Sequence, residues 1–460
     1  MKIIVKKFGG TSVGSGERLK LVSNIIKNTA KSNKVIVVVS AMSPEKKTSG
    51  TTSLLLKAAD CAVSDQPFND VIEQITSYHA QAIREAINSP AIVERCERFV
   101  IEELSRLSSF LHAIRIIGEL TPISLDNVIA VGEKLSAYIL AQTLNDHGMR
   151  AEYKDLSSIV DKRYKNIDGD FFKMLQERIA NFCRVQDDTI PVVTGYFGPV
   201  PGGMIEKIGR GYTDFTSALL TAGLASDLVE ELQVWKEVDG VCTADPRKVK
   251  GAMVLDEISA SEAAELTHFG SEVLHPFTME RVTMAKIPIR VKNTFNPDYP
   301  GTRIVNSAPT HKRPVTAITA KKGITVVTIT SNRMYDTYGF LAQVFNVLKK
   351  HGVVVDLVST SEISISFTVE KAGYVEKAKA DLEALGKINI IQDQSILAVV
   401  GENMRYDYNC TFKLFGALAT EKIQVGMISK GEMQVNISCV IKDEEVERAL
   451  PVVHSAFFPD

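Results

Sequence analysis

Residues 2–14 read KIIVKKFGGTSVG, and the first structural unit of the chain can be built outward from this segment. Residues 2–8 have the composition of a short strand, which two glycines break. Residues 17–31 then carry apolar side chains at helical spacing, and VIVVV at 35–39 predicts a buried parallel strand. Free backbone N–H groups at the entrance of a helix that follows a glycine turn favour an anion. The opening residues therefore predict a β-α-β unit with an anion site.

The composition excludes several classes of protein. The 460 residues contain 45% hydrophobic and 23% charged side chains, which is typical of a globular protein and not of a disordered one. The 53 basic and 55 acidic residues give a net charge of −2, so there is no basic surplus to favour nucleic-acid binding. At about 150 residues per domain, the length corresponds to roughly three domains.

Cysteine usage and the N-terminus indicate the compartment. The 6 cysteines are widely spread and form no C-x-x-C pair, which is typical of free thiols in a reducing environment. The N-terminus lacks the apolar segment of a signal peptide, and the run at 35–39 is far shorter than the ~20 residues of a membrane helix. We expect a soluble, cytoplasmic protein with neither a membrane nor a nucleic acid as partner.

Strand and helix patterns alternate over about the first 300 residues, which predicts one large α/β domain. Residues 68–147 read as mostly helical, and the Pro/Gly-rich residues 198–211 predict a hairpin. NTFNPDYPGTR at 293–303 is typical of a domain boundary. We place the first domain at residues 1–295.

An internal repeat follows that boundary. The order β-α-β-β-α-β over residues 324–392 returns as β-α-β-β-α over residues 395–457, and STSEISI at 359–365 aligns with SKGEMQV at 429–435. The second copy lacks a strand, and VTAITA at 315–320 is a spare one. We therefore expect one domain at 322–393, inserted into a second built from 312–321 and 394–460.

Chemistry is expected first at the glycine turn. Strand alternation sends Lys6 and Lys7 to opposite faces, so only one ammonium group can point at the turn. A phosphate cradle of glycine amides and one lysine is the functional interpretation. When these residues are considered alone, a tight turn beside two exposed lysines is the favoured interpretation, because Gly-Gly turns are common.

Three further segments combine charge with turn signals. GRGYTDFT at 209–216 opens a helix, where Arg210 offers a fork for a carboxylate and Thr213 or Asp214 would cap the first turn. WKEVDGVCTADPR at 235–247 follows a strand, as a nucleotide-binding loop would. Gly132-Glu133 lies within a helical pattern. Ordinary capped helices and charged loops are the alternative for each segment.

Taken together and in order, these motifs resemble those of the aspartokinases. KFGGTSV at 7–13, VVVSA at 37–41, Gly132-Glu133, GRGYTD at 209–214, the 235–247 segment and FGSEVLHP at 269–276 carry the resemblance over the whole chain. It implies an amino-acid-kinase α/β sandwich followed by two α+β, ferredoxin-like ACT domains. The implied activity is transfer of the γ-phosphoryl group of ATP to the β-carboxylate of L-aspartate, giving aspartyl-4-phosphate in the first step of lysine, threonine and methionine biosynthesis.

The resemblance also implies roles for individual residues. Lys7 and Asp214 are the expected catalytic pair, in which Asp214 holds Lys7 against the transferred phosphoryl group. The expected aspartate-binding residues are Ser40, Thr52, Glu133 and Arg210, with Arg210 on the α-carboxylate and Glu133 on the α-ammonium group. The expected ATP-binding residues are Lys7, Gly9, Gly10, Thr11, Lys236, Glu237, Cys242, Arg247, Glu272 and Val273. Mg²⁺ is expected with ATP, held mostly by phosphates and water rather than by a protein metal site.

The first repeat resembles the effector site of lysine-sensitive, monofunctional aspartokinases. The residues expected to contact L-lysine are Met334, Thr337, Gly339, Phe340, Leu341, Asp356, Ser361 and Glu362. Acidic Asp356 and Glu362 suit a cationic amino acid, whereas without the resemblance surface charges at strand ends would be the favoured interpretation. The family further implies a homodimer formed through the ACT domains, with a homotetramer as the alternative.

Two positions depart from the family pattern, and two other functions stay open. Glu272 stands where many members carry Lys, and Cys242 stands where Tyr is common. Another amino-acid kinase, for acetylglutamate, glutamate or uridylate, would share the glycine turn but not the later motifs together with ACT repeats. A sensor that has lost catalysis would keep the repeats, but Lys7, Arg210 and Asp214 are all present.

Overall fold

The computed structural model describes residues 1–45, 49–162, 164–209, 211–224, 226–271, 274, 276–306, 313–331, 339–370, 372–431 and 435–459. The chain divides into two compact units. The first consists of residues 1–241 and 274–306, and the second of residues 242–273 and 307–460. No helix of the described residues combines the length and apolarity that crossing a bilayer requires.

Strands and helices are numbered along the chain. The strands are β1 (Ile3–Phe8), β2 (Lys34–Val39), β3 (Ala151–Lys154), β4 (Ile190–Thr194), β5 (Val229–Lys236), β6 (Glu257–Ser259), β7 (Ile289–Asn293), β8 (Thr302–Val305), β9 (Ala317–Thr330), β10 (Val358–Thr360), β11 (Ser364–Val369), β12 (Lys387–Val400), β13 (Met427–Ser429) and β14 (Asn436–Lys442). The helices are α1 (Gly16–Ala30), α2 (Thr51–Val63), α3 (Asn69–Ala86), α4 (Pro90–Ile117), α5 (Pro122–Asp146), α6 (Gly169–Phe182), α7 (Met204–Lys207), α8 (Tyr212–Gly223), α9 (Ala260–His268), α10 (Pro276–Met284), α11 (Phe340–Lys350), α12 (Ala372–Glu383), α13 (Asn409–Thr420) and α14 (Val446–Phe457).

The first unit is built on a mostly parallel sheet. Its strand order is β3-β4-β2-β1-β5-β7-β8, parallel from β3 to β7 and antiparallel at β8. Every residue of β1 and β4 is buried, as expected for parallel strands covered on both faces. The predicted β-α-β unit and the helical stretch at 68–147 are confirmed. The carboxyl ends of β1, β2, β4 and β5 meet at one edge, where parallel sheets bind ligands.

Two local predictions for this unit need correction. Of the stretch predicted as a hairpin, residues 198–209 hold the short helix α7 and turns instead, because the buried Asp126 carboxylate of α5 accepts hydrogen bonds from the Met204 and Ile205 N–H groups. The segment 293–303 does not end the sheet. Gly301, with φ of +79°, turns the chain back, and β8 pairs antiparallel with β7.

The repeats of the second unit share one sheet, in the order β10-β11-β9-β12-β14-β13. The long strands β9 and β12 each run through the parts of the sheet that belong to the first and to the second repeat. Residues 326–330 of β9 pair with 387–391 of β12, and residues 317–320 pair with 397–400. The strand that we expected to complete the second copy thus lies beside β12, which also pairs with β14. Each half has its own apolar core, one under α11 and α12 and one under α13 and α14.

The second unit also contains α9, although its sequence precedes the repeats. A capping box formed by Ser259 and Glu262 starts this helix. The same Glu262 carboxylate accepts hydrogen bonds from the Thr316 hydroxyl, at 2.6 Å, and from the Glu402 N–H, at 2.9 Å. Asn436 of β14 donates to Glu265, at 2.6 Å. Helix α9 is therefore anchored to the sheet of the repeats through buried or half-buried polar contacts.

Candidate active site

The glycine turn after β1 lies tightly against the segment that follows β2. A Cβ atom on Gly10 would stand 2.4 Å from the Ala41 carbonyl oxygen, and one on Gly14 would stand 1.9 Å from that of Ser43. Only glycine fits at these positions, because both neighbours are backbone atoms. The turn uses the N–H groups of Ser12 and Val13 internally, which leaves those of Gly10 and Thr11 as the candidate phosphate donors.

The two lysines of β1 have separate partners, as strand alternation predicts. Lys7 Nζ lies 2.6 Å from Asp214 Oδ1, and both side chains are nearly buried. Lys6 points to the other face, where it donates to Gln233 at 2.5 Å and lies over the ring of Trp235. Burial lowers the pKa of Lys6 to about 7, and the nearby Lys292 contributes to that lowering. Lys7 is thus the cation on the side of α8.

Asp214 lies in the first turn of α8, where a carboxylate also interacts favourably with the helix dipole. The prediction that Thr213 or Asp214 caps this helix is wrong. The N-cap is Gly211, without a side-chain cap. Instead Asp214 pairs with Lys7, and the Thr213 hydroxyl donates to Glu133 Oε1 at 2.5 Å. The first turn of α8 therefore contacts both charged side chains that the sequence analysis selected on β1 and α5, namely Lys7 and Glu133.

Glu133 is a buried carboxyl group on α5, with 1% of its surface exposed. Burial raises its pKa to about 7, against the hydrogen bond from the Thr213 hydroxyl, which lowers it. Its Oε2 atom has no hydrogen-bond partner. A buried, half-satisfied carboxylate is costly unless a positive group meets it. The Glu133 site therefore suits an ammonium group of a ligand.

Glycines and small side chains allow the segments around the Glu133 carboxyl group to pack closely, among them α5 and α2. A Cβ atom on Gly195 would lie 2.7 Å from Glu133 Oε1, and one on Gly132 would lie 2.8 Å from the Ala41 side chain and 3.0 Å from that of Thr51. The hydroxyls of Thr51 and Ser136 are buried there without partners. Sequence patterns did not predict Thr51, Gly195 or the role of Thr213. The only available signal was that Thr213 adjoins Asp214 in the GRGYTD motif.

The other predicted substrate and nucleotide residues divide among several places. Ser40 and Thr52 are half-buried, at the end of β2 and the start of α2. Thr11 is buried in the glycine turn. Lys236 ends β5 and Glu237 follows it; β5 is the neighbour of β1, with Trp235 opposite Phe8. Cys242 and Arg247 belong to the second unit, where Arg247 pairs with Asp245 at 2.9 Å. Arg210, Glu272 and Val273 lie outside the described residues.

The predicted effector residues lie on several elements of the first repeat. Gly339 precedes α11, Phe340 is buried in the apolar core of the first repeat and Leu341 is partly exposed. Ser361 and Glu362 are exposed between β10 and β11. Asp356 is buried and pairs with Lys321 at 2.9 Å. Met334 and Thr337 lie outside the described residues.

The described residues contain no group of three or more His, Cys, Asp or Glu side chains that could hold a metal ion. The site offers a cation, Lys7, beside candidate phosphate-binding amides, together with a carboxyl group, Glu133, for an ammonium group. This combination fits a nucleotide phosphate on one side and an amino acid on the other.

Comparison with known proteins supports both the fold and this chemistry. The amino acid kinase family matches residues 2–293, and the ACT domain matches residues 327–385 and 397–457. The aspartokinase of Candida albicans is 41% identical, over 98% of this chain and 89% of that protein. E. coli aspartokinase III with aspartate and ADP superimposes with a TM-score of 0.80 at 25% identity, covering 99% of this chain and 100% of that one. The structure of E. coli aspartokinase III with lysine and aspartate superimposes with a TM-score of 0.74 at 25% identity, covering 100% of both chains. The predicted fold class is confirmed.

Proposed function

The chain belongs to the aspartokinase family and is an aspartate kinase, and on that basis we propose how its residues perform the reaction and how the reaction is regulated. The proposed reaction moves the γ-phosphoryl group of ATP to the β-carboxylate of L-aspartate and gives aspartyl-4-phosphate. We place it as the first step of lysine, threonine and methionine biosynthesis. The observation that carries the proposal is the buried Lys7–Asp214 pair at the glycine turn, with Glu133 held by the same helix, α8.

The chemistry needs positioning and charge compensation more than proton transfer. The attacking carboxylate has an ordinary pKa of about 3.9, so it is already ionised at neutral pH and needs no general base. The difficulty is to bring it to a polyanionic nucleotide, as in other phosphoryl transfers. Lys7 supplies a positive charge at the transferred group. Asp214 fixes the position of that ammonium group, so little reorganisation is needed during the reaction.

Glu133 and Arg210 are the proposed clamp for aspartate. The unpartnered Oε2 atom of Glu133 accepts from the α-ammonium group, which offsets the cost of burying that carboxylate. Arg210 holds the α-carboxylate through its planar fork. Ser40 and Thr52 line the path between the amino acid and the phosphate.

The nucleotide is proposed to bind along the carboxyl ends of β1 and β5. The amides of Gly10 and Thr11 and the Lys7 side chain contact phosphates. The Gly9 amide, which the resemblance also implied, is not available, because its N–H donates to the Trp235 carbonyl oxygen at 3.3 Å. The remaining proposed nucleotide contacts are Lys236, Glu237, Cys242, Arg247, Glu272 and Val273. The glycine turn and Lys7 fit a nucleotide phosphate. Mg²⁺ bound with ATP would neutralise phosphate charge, and most of its ligands would be phosphate and water oxygens. Asp214, the carboxylate paired with Lys7, is the candidate to orient such an ion through water.

Regulation and assembly belong to the repeats in this proposal. We divide the chain into a catalytic domain at 1–295, a first ACT domain at 322–393 and a second at 312–321 with 394–460. L-lysine is the proposed feedback inhibitor, at Met334, Thr337, Gly339, Phe340, Leu341, Asp356, Ser361 and Glu362. The solved complex of E. coli aspartokinase III with lysine supports this choice. The proposed assembly is a cytoplasmic homodimer formed through the ACT domains, or a homotetramer of such dimers.

Hydroxylamine trapping of the acyl phosphate tests the proposal. Mg-ATP is offered with L-aspartate, L-glutamate or N-acetylglutamate, each with and without L-lysine or L-threonine. We expect product with aspartate alone and suppression by lysine. Turnover that lysine does not change would remove the effector assignment and keep the kinase, whereas turnover with another acid would overturn the substrate assignment.

A further inference from the structure

Residues 293–302, predicted from their sequence to be a domain boundary, connect β7 with β8 inside the first unit. We call them the β7–β8 connection. They bond to two neighbouring parts of the proposed nucleotide site. One part is the glycine turn at 9–14, and the other is the segment 236–241, which ends β5 and follows it. The connection thus makes contacts that a chain reversal between two strands does not need.

Thr294 contacts both parts. Its hydroxyl oxygen lies 2.7 Å from that of Ser12 in the glycine turn, and both residues are fully buried. Its N–H group donates to the Lys236 carbonyl oxygen at 2.9 Å. The geometry of a buried hydroxyl pair is well determined, because a hydroxyl that lost its partner there would not regain its hydration. Thr294 therefore fixes the distance between the glycine turn and the end of β5.

Phe295 adds a contact on the side of the glycine turn. The Arg18 guanidinium of α1 lies 5.1 Å from the centroid of the Phe295 ring and donates to the Thr11 carbonyl oxygen at 3.0 Å. Thr11 is one of the two residues whose N–H groups are the candidate phosphate donors. The β7–β8 connection therefore also supports, through Arg18, a residue that presents one of these donors.

The segment after β5 is held at Asp239 and Val241. The Oδ1 atom of Asp239 accepts hydrogen bonds from the side-chain amides of Asn293, at 2.9 Å, and Asn296, at 3.0 Å. The Val241 N–H group donates to the Thr302 hydroxyl at 2.8 Å. Both ends of the connection thus bond to the segment that carries the proposed nucleotide contacts of β5.

We propose that Thr294 and Asp239 are positioning residues for ATP. Through them the β7–β8 connection holds the glycine turn and Lys236-Glu237 at the spacing that the bound nucleotide requires, without touching the nucleotide itself. The inference rests on the proposed function, because it takes these two parts as nucleotide contacts. A site that is ordered before binding loses less conformational freedom when the ligand arrives, which strengthens binding.

The effect is expected to be selective for the nucleotide. The aspartate side of the proposed site is held by another contact, in which the Thr213 hydroxyl of α8 donates to Glu133 at 2.5 Å. Loss of the Thr294 or Asp239 contacts is therefore expected to weaken ATP binding and to leave aspartate binding nearly unchanged.

Calorimetric titration of the full chain with Mg-ADP tests the proposal without turnover. Thr294→Val keeps the shape and removes the hydroxyl, and Asp239→Ala removes the acceptor of both amides. We expect each change to weaken Mg-ADP binding about tenfold, since loss of a hydrogen bond changes affinity by about that factor. Thr294→Ser retains the hydroxyl and should keep most of the affinity.

Unchanged Mg-ADP affinity in a folded Thr294→Val or Asp239→Ala protein would overturn the proposal. A loss in Thr294→Ser equal to that in Thr294→Val would overturn it as well, because the hydroxyl would then not be the positioning group. Asp239 is only partly buried, so Asp239→Ala keeps the test valid if Thr294→Val folds poorly.

Steady-state kinetics with trapped acyl phosphate separates positioning from a general loss of structure. KM for ATP should rise about tenfold in Thr294→Val and Asp239→Ala, whereas kcat and KM for aspartate stay within about twofold of the wild type. Thr328→Val is the matched control, because it removes one hydroxyl of a pair that lies 2.9 Å apart, formed with Ser366 in the sheet of the repeats. It should change none of these values. An equal rise of both KM values, or the same effect in Thr328→Val, would contradict the proposal.

The positioning role and the proposed reaction can fail separately. If the wild type forms no acyl phosphate from aspartate but the variants weaken Mg-ADP binding as expected, the reaction is wrong and the positioning role stands. If the wild type forms the acyl phosphate and the variants bind Mg-ADP normally, only the positioning role is wrong. A wild type that does not bind Mg-ADP would overturn both.

Discussion

Each unit contains a nearly buried lysine–aspartate ion pair, and the two pairs differ in their surroundings. In the first unit, Lys7 and Asp214 meet at 2.6 Å, beside a glycine turn and at the start of a helix. In the second, Lys321 and Asp356 meet at 2.9 Å, within the sheet of the repeats and beside α9. The first pair adjoins the backbone amides of Gly10 and Thr11, which we propose as phosphate donors. The second adjoins a cavity lined by another carboxyl group, Glu265.

From this difference we infer two roles for the same kind of ion pair. A pair beside candidate amide donors holds a positive charge ready for an anion that binds and leaves. A pair beside a second carboxylate leaves a net negative charge, which favours a cation. We therefore expect removal of the first lysine to affect turnover most, and removal of the second lysine to affect stability most.

The largest effect is expected for Lys7→Ala. Loss of a preorganised charge at the transferred phosphoryl group commonly costs about 10²–10³-fold in turnover, and loss of the partner of Asp214 adds misplacement of α8. We expect kcat for the hydroxylamine-trapped product to fall by about three orders of magnitude. Lys20→Ala, which removes a more exposed lysine paired with Glu17, is the control. Comparable losses in both variants would show that the Lys7 pair has no special role.

The second prediction concerns the pH dependence of aspartate binding. Glu133 has a raised pKa of about 7, so its carboxyl group is neutral below that pH and no longer attracts an ammonium group. We expect KM for aspartate to rise up to tenfold for each pH unit below 7, and to level off above it. Steady-state kinetics between pH 5.5 and 8.5 measures this.

Glu133→Gln is the matched test, because it keeps the shape and removes the charge. KM should rise about 100-fold, as for loss of a buried charged partner, and become independent of pH over the same range. A KM that still rises below pH 7 in Glu133→Gln would assign the titration to another group.

The sequence predicted best those structural features that depend on residues close together in the chain. The glycine turn between β1 and α1 follows from neighbouring residues, and strand alternation was enough to separate Lys6 from Lys7. The two repeats follow from a pattern that returns after roughly 70 residues. The roles of the site residues stay predictions, because the structure gives their positions and not their ligands.

Contacts between distant segments could not be predicted in the same way. The helix cap expected from Thr213 is absent because its hydroxyl meets Glu133, which is 80 residues away. A Pro/Gly-rich stretch became α7 because Asp126 holds its N–H groups. Asp356 was assigned to a ligand from the family resemblance and its charge, and neither could predict the ion pair that it forms with Lys321. In each case the contact is made by a side chain from another element. The periodicity of the sequence gives no information about such contacts.

The third prediction measures the second ion pair by stability. Lys321→Met leaves the buried Asp356 carboxylate without its cation, and such a change commonly costs about 3 kcal/mol in the free energy of unfolding. Adding Asp356→Leu should recover most of that loss, because two apolar side chains replace the pair. Denaturant unfolding of the wild type, the two single variants and the double variant closes the cycle. In the first unit, the corresponding Lys7→Met, Asp214→Leu double variant should regain stability without regaining turnover, and recovery of turnover there would break the distinction between the pairs.

The smallest effect is expected for His268→Ala. The imidazole is 3.7 Å from Asp356, beyond hydrogen-bonding distance, and is about half exposed, so water screens the interaction. We expect the free energy of unfolding to change by less than about 0.5 kcal/mol, as for exposed ion pairs. The same denaturant titration measures it, with Lys321→Met as the reference. A loss as large as that of Lys321→Met would mean that Asp356 depends on two cations, and the second pair would then no longer correspond to the simple pair formed by Lys7 and Asp214.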